Sequence, residues 1–231
     1  RNTKRNKKSK RIKYTYKIFI MEVNKVYQGD CLKIMKTFPD NSVDLILTDP
    51  PYGINQDKGI QLYTKASSKY KVKNYNDNWD NFTPTKEYFD EILRIGKKVI
   101  IFGGNFFIDK LPFKTSWIVW DKIGNIKFTD TFTDVELAWT NFDRNISKKY
   151  ICIQHGFVSE EKKRFHPTQK PVKLFRNIIK DYSKEGDIIM DPFAGSGTTA
   201  IACKQLNRNY ILIEKEQKYI DIINKRLQQQ T

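Results

Sequence analysis

The sequence predicts an α/β fold: a mixed, mostly parallel sheet of about seven strands with helices on both faces. Three observations predict it. Strand and helix patterns alternate after residue 20. Short apolar segments end repeatedly on a glycine or an acid, at Asp30, Asp49, Gly103, Asp191 and Glu214. The 231 residues suffice for one sizeable domain with a full core. Ligands of open α/β sheets bind at the carboxyl ends of the strands, so these five residues are expected to share one site.

The elements follow in order. Residues 1–20 hold nine basic residues and no acid, a block of like charge that reads as a disordered tail. Met21 is the first methionine and an alternative natural start, with residues 21–231 forming the domain. Lys25–Gln28 is a short strand, Leu32–Thr37 a short helix, and Val43–Thr48 a buried strand. The polar, aperiodic stretch 53–82 reads as a long functional loop. Thr83 is the expected N-cap before Pro84, opening a helix over Thr85–Gly96. A strand follows at Lys98–Phe102. Ser116–Trp120 and Asp134–Trp139 are expected to form an antiparallel pair, and 141–165 to be irregular and basic. Helix Val172–Ser183, strand Asp187–Met190, helix Thr198–Leu206, strand Tyr210–Ile213 and an amphipathic helix Gln217–Gln228 complete the chain.

Composition narrows the function. The net charge is +16, and setting aside the nine charges of residues 1–20 leaves +7 on the rest, which suggests a polyanionic partner. No apolar run approaches the roughly 20 residues that span a bilayer, so a soluble, intracellular, cytoplasmic protein without membrane contact is expected. Cys31, Cys152 and Cys203 are odd in number and lack CxxC spacing, which points away from disulfides and from a metal site. Neither histidine stands in a metal-binding pattern, and His155 reads as structural.

Two constellations carry chemistry. A strand runs into Asp191-Pro192-Phe193-Ala194-Gly195-Ser196-Gly197-Thr198, where the glycines allow a tight turn and close backbone approach to a ligand. Glu214 lies at the end of the next strand, where an acid commonly takes ribose hydroxyls. The pair indicates an adenosine-containing ligand without saying which, and Gly195-x-Gly197-x-x-Ala200 also satisfies a dinucleotide pattern. The second constellation is Asp49-Pro50-Pro51-Tyr52. Consecutive prolines stiffen the turn and remove two N–H donors. What remains is a carboxylate, a free carbonyl and an aromatic ring, a set suited to a planar amino group.

Gly29-Asp30, Asp49-Pro50-Pro51-Tyr52-Gly53, Phe102-Gly103-Gly104, His166-Pro167-Thr168-Gln169-Lys170-Pro171 and Asp191 to Thr199 occur in this order. Over roughly residues 22–227 the chain resembles the β-group amino-methyltransferases of DNA, the circularly permuted Rossmann-like class in which the catalytic motif precedes the cofactor loop. The resemblance implies S-adenosylmethionine surrounded by Asp191, Phe193, Ala194, Gly195, Ser196, Gly197 and Thr198. It places Glu214 on the ribose, Asp30 and the Cys31 backbone on the adenine, Phe102 and Gly103 beside the cofactor, and His166, Thr168 and Lys170 near the methionine end. Asp49, Pro50, Pro51 and Tyr52 become catalytic. Aspartate at the first motif position leans towards adenine-N6; cytosine-N4 is the alternative. No cysteine follows a proline, which sets aside cytosine-C5 chemistry.

Double-stranded DNA is then the expected partner, with the target base flipped out. Segments 53–82 and 140–165 are the expected recognition insertions, with Lys69, Lys71, Lys73, Arg144, Lys148, Lys149, Lys163 and Arg164 as DNA contacts. A homodimer, a cognate restriction enzyme or a separate specificity subunit are further partners consistent with the resemblance. Competing readings are a methyltransferase of RNA, protein or a small amine, a dinucleotide-binding oxidoreductase, and a catalytically idle DNA-binding module.

Overall fold

Val43, Leu45, Ile46 and Leu47 are wholly shielded from solvent, as a strand covered on both faces must be. In the computed structural model, which describes residues 21–54, 83–127, 133–143, 145, 147–155, 158–159, 165 and 169–229, they form β2 (Val43–Thr48) near the middle of the sheet. Before it come β1 (Lys25–Gln28) and helix α1 (Cys31–Met35); after it come α2 (Lys86–Ile95), β3 (Gly96–Phe102), β4 (Trp117–Asp121), β5 (Val135–Thr140) and β6 (Lys148–Ile151). A two-residue pair, β7 (Gln154–His155) and β8 (Val158–Ser159), precedes α3 (Val172–Tyr182), β9 (Ile188–Asp191), α4 (Thr198–Gln205), β10 (Asn209–Glu214) and α5 (Gln217–Gln228).

The described sheet has eight strands in the order β1-β10-β9-β2-β3-β5-β4-β6. The first five run parallel. β5 is antiparallel to both neighbours, and β6 runs parallel to β4. Side chains alternate between two cores, as the period of a strand requires. Leu45, Leu47, Ile100, Phe102, Ile189 and Leu212 pack under α3, α4 and α5. Ile46, Val99, Ile101, Met190 and Ile211 pack under α1 and α2. β2 and β9 are adjacent although 143 residues separate Thr48 from Asp191. The fold is therefore the expected Rossmann-like one, with the permuted motifs brought side by side.

Several boundaries differ from expectation for local reasons. The first helix starts at Cys31, because the Asp30 side chain caps it by accepting from Lys33 N at 3.2 Å. The cap of α2 is Thr85, not Thr83; the Thr83 hydroxyl instead accepts from Lys110 Nζ at 2.6 Å. β3 begins directly at Gly96, with no turn between helix and strand. Among the described residues the sheet has eight strands where about seven were expected, because the segment expected to be irregular contributes β6. As an edge strand with three of its four residues exposed, β6 carries little hydrophobic alternation to read. Among the described residues, no helix is long and apolar enough to cross a membrane.

Candidate active site

Asp30, Glu214, Asp191, Asp49 and Gly103 stand at or just past the ends of β1, β10, β9, β2 and β3. These strands are consecutive neighbours and all parallel, so the five positions form one row along one sheet edge. The chain leaves β9 for β10 on one side and leaves β2 for β3 on the other. Such a reversal opens a crevice at the sheet edge, where ligands bind.

On the β2 side, Asp49 accepts from Tyr52 Oη at 2.5 Å and from Lys170 Nζ at 2.5 Å, each on a different oxygen. Burial raises the Asp49 carboxyl above its ordinary range; the Lys170 cation opposes this and the Glu136 charge adds to it. The Pro50 carbonyl accepts no hydrogen bond among the described residues. Gly103 adopts a left-handed φ of +67°, and a Cβ there would lie 2.1 Å from the Tyr52 ring. Glycine is thus what lets the β3 end approach Tyr52. Phe106 stacks on the same ring with centroids 4.8 Å apart. Lys170 is buried, with its Nζ 5.4 Å from the Phe102 centroid, 5.6 Å from Tyr52 and 5.9 Å from Trp120. It also lies 3.2 Å from Glu136 Oε2.

On the β9 side, the buried Asp191 carboxylate accepts from Thr48 Oγ1 (2.8 Å), Thr199 Oγ1 (2.7 Å) and Phe193 N (3.1 Å). Burial pushes its carboxyl up to about 6. Through Thr48 it ties the strand that carries Asp49 to the glycine loop. Glu214 accepts from three backbone N–H groups, those of Gly195 (2.8 Å), Lys215 (2.8 Å) and Glu216 (2.9 Å). Burial raises its carboxyl. Asp30 accepts from Tyr88 Oη at 3.0 Å, and the Tyr88 ring lies 6.3 Å from that of Phe193. Cys31 is buried and its thiol is pushed up to about 12, chiefly by burial, so it has no nucleophile's chemistry.

The Gln169–Lys170 segment is strapped onto the loop. Ser196 Oγ donates to Gln169 Oε1 (3.0 Å), Thr198 Oγ1 donates to the Lys170 carbonyl (3.2 Å), and Arg226 donates to the Ser196 carbonyl (2.6 Å). The resulting cradle fits S-adenosylmethionine. A Cβ on Gly195 would meet nothing within 4 Å, so bare backbone faces open space. Acidic groups stand at both ends of the β1–β10 edge, with two aromatic rings beside one of them. Gly197, by contrast, is packed: its Cβ would sit 2.8 Å from Ile223.

The structure thus gathers Asp49 to Tyr52, Phe102, Gly103 and Lys170 on one side, and Asp30, Cys31, Asp191 to Thr198 and Glu214 on the other. His166, Thr168, Lys69, Lys71, Lys73, Arg144, Lys163 and Arg164 lie outside the described residues. Lys148 and Lys149 sit far along the sheet on β6, ion-paired with Asp181 (3.3 Å) and Asp121 (3.2 Å). Sequence reasoning missed Tyr88, Thr48, Phe106 and Glu136, none of which lies in a motif; a lone acid within the apolar β5 pattern was the available signal for Glu136.

A family model described as DNA methylase, of the N6/N4 type, matches residues 109–225. The Type II methyltransferase M.HinfI of Haemophilus influenzae is 31% identical, over 90% of this chain and 69% of that protein. The Type II methyltransferase M2.MboI of Moraxella bovis is 30% identical, over 87% of this chain and 86% of that protein. Among solved structures, the complex of M1.HpyAVI with S-adenosylmethionine aligns with a TM-score of 0.57 at 25% identity, covering 88% of this chain and 98% of that one. By these matches the chain belongs to the N6/N4 DNA methylase family, whose methyl donor is S-adenosylmethionine.

Proposed function

We propose that this chain methylates the N6 amino group of an adenine flipped out of double-stranded DNA. The observation that carries the reading is the part-buried Asp49 carboxylate, adjacent to a Pro50 carbonyl with no hydrogen bond among the described residues and just past the strand next to β9 and its glycine loop. The Asp at the first motif position supports adenine over cytosine-N4. The fold alone does not choose the base, since a cytosine-N4-specific enzyme, the PvuII methyltransferase, shares it with a TM-score of 0.58 at 16% identity.

Bound S-adenosylmethionine supplies an electrophilic methyl group. Asp30, Tyr88 and Phe193 would hold its adenine, Glu214 its ribose, and Gly195 to Thr198 its remaining length. An exocyclic amino nitrogen is a weak nucleophile because its lone pair is delocalised into the ring. Asp49 and the Pro50 carbonyl each accept one N–H, which favours a more tetrahedral nitrogen and orients it for attack. Asp49 is also placed to take the proton that the nitrogen sheds. Tyr52 offers the base a stacking surface once the half-exposed Phe106 ring yields its place. A cytoplasmic enzyme acting on the genome fits this reading, with Lys148 and Lys149 as phosphate contacts that exchange their carboxylates for DNA.

The test is to incubate the protein with labelled S-adenosylmethionine and DNA, RNA or protein, then hydrolyse the DNA to nucleosides. Labelled N6-methyldeoxyadenosine is expected. N4-methyldeoxycytidine would overturn the choice of base, and label confined to RNA or protein would overturn the choice of substrate.

A further inference from the structure

One buried ammonium faces two carboxylates in this site. Lys170 Nζ lies 2.5 Å from Asp49 Oδ2 and 3.2 Å from Glu136 Oε2. Glu136 in turn holds Lys122 Nζ at 3.1 Å on its other oxygen. The series Lys122, Glu136, Lys170, Asp49 alternates in sign and is neutral as a whole. Glu136 Oε2 is buried and makes no hydrogen bond of good geometry among the described residues.

This arrangement weakens Asp49 as an acceptor for an incoming amino group. Both Asp49 oxygens already carry donors, Tyr52 Oη on one and Lys170 Nζ on the other. Each oxygen keeps a second lone pair, but an incoming amino group must compete there with a charged donor already in place. Pulling a buried ammonium off its only partner would leave an uncompensated charge, which is strongly unfavourable. Lys170 escapes that penalty because a second carboxylate, Glu136, already lies 3.2 Å from it. The Phe102 and Trp120 rings lie within 6 Å of the ammonium.

We propose that Glu136 is a positioning residue that takes the Lys170 ammonium from Asp49 as the target amino group docks. The inference rests on the methyl-transfer reading above. Glu136 is suited to the task because it stays ionised. Burial alone would raise its carboxyl, but the Lys170 and Lys122 cations hold it below the ordinary range. Once free of Lys170, Asp49 presents its full charge to the nitrogen on which positive charge develops.

The test compares wild type with Glu136→Gln in single-turnover methyl transfer to DNA, on protein whose melting confirms the fold. The expected result is a rate about 100-fold lower, the scale of a misplaced reacting group, with cofactor affinity unchanged. Glu136→Asp is expected to recover part of the loss. A pH profile separates this role from a merely structural one. The titratable groups facing Asp49 among the described residues are Lys170, Tyr52, Glu136 and Asp191. Removing the Glu136 charge is expected to lower the Asp49 carboxyl, so the acid limb of the rate moves to lower pH. If Glu136→Gln does not fold, the double variant Glu136→Gln, Lys122→Met removes the ion pair together and keeps the site neutral; the same rate loss is expected. A folded variant of either kind with wild-type rate and an unmoved acid limb would overturn the proposal. A wild-type protein that transfers no methyl group to DNA would instead overturn the reading beneath it.

Discussion

At the ends of β1, β9 and β10 the carboxylates of Asp30, Asp191 and Glu214 are met by neutral donors, whereas at the end of β2 and on β5 those of Asp49 and Glu136 are met by lysines. Among the described residues, Asp30, Asp191 and Glu214 accept only from hydroxyls and backbone N–H groups. Asp49 and Glu136 share Lys170, and Glu136 also holds Lys122. The two kinds of partner do different work. Neutral donors anchored in the backbone hold a loop to one shape around a cofactor. A long lysine can change partners, which a site that must admit a new amino group requires. The cofactor side is a fixed cradle, and the catalytic side is a charge arrangement that rearranges.

That contrast can be broken most forcefully at Asp49. Asp49→Ala is expected to lower single-turnover methyl transfer at least ~1,000-fold, measured with labelled cofactor and DNA. Next is Gly103→Ala. Its Cβ would meet the Tyr52 ring at 2.1 Å in a left-handed backbone. A loss of about 100-fold in rate and of about 1–3 kcal/mol in stability is expected, read by kinetics and urea unfolding.

The cofactor side should show itself in stability against pH. Burial pushes the Asp191 carboxyl up to about 6 in the folded protein, against an ordinary 3.8. Between these values the folded state binds more protons than the unfolded state. The contribution is therefore fully present below about 4 and is lost as pH rises through about 6. The difference is on the order of 2–3 kcal/mol. Urea titrations across this range are expected to show the decline, and Asp191→Asn to flatten it. The smallest effect is expected from Tyr88→Phe. Loss of the hydroxyl that donates to Asp30 should weaken cofactor binding by about 1 kcal/mol, roughly fivefold by calorimetry, with the rate at saturating cofactor nearly unchanged.

Much of this was legible in the sequence where local signals and tertiary demands agree. β2 and α5 have the bounds expected from Val43–Thr48 and Gln217–Gln228, because a doubly buried strand and an amphipathic helix carry strong periodicity. The loop Asp191 to Thr198 and the turn Asp49 to Tyr52 were legible because glycine and proline declare backbone shape. β6 was not, since Lys148, Lys149, Tyr150 and Ile151 are held by one neighbouring strand and not by burial. Glu136 and Tyr88 were not, because each acts through a partner distant in the chain, and no spacing announces such a contact. Lys170 was legible as a site residue, but its division between two carboxylates appears only when β5 is placed beside β3.

The division into a fixed cradle and a rearranging charge site is tested most directly by titrating S-adenosylmethionine into Asp49→Ala and wild type by calorimetry, with methyl transfer to DNA followed on the same preparations. The expected result is affinity within about twofold of wild type, as for sites that act independently, together with loss of transfer. Loss of cofactor binding along with transfer, or retention of both, would contradict it.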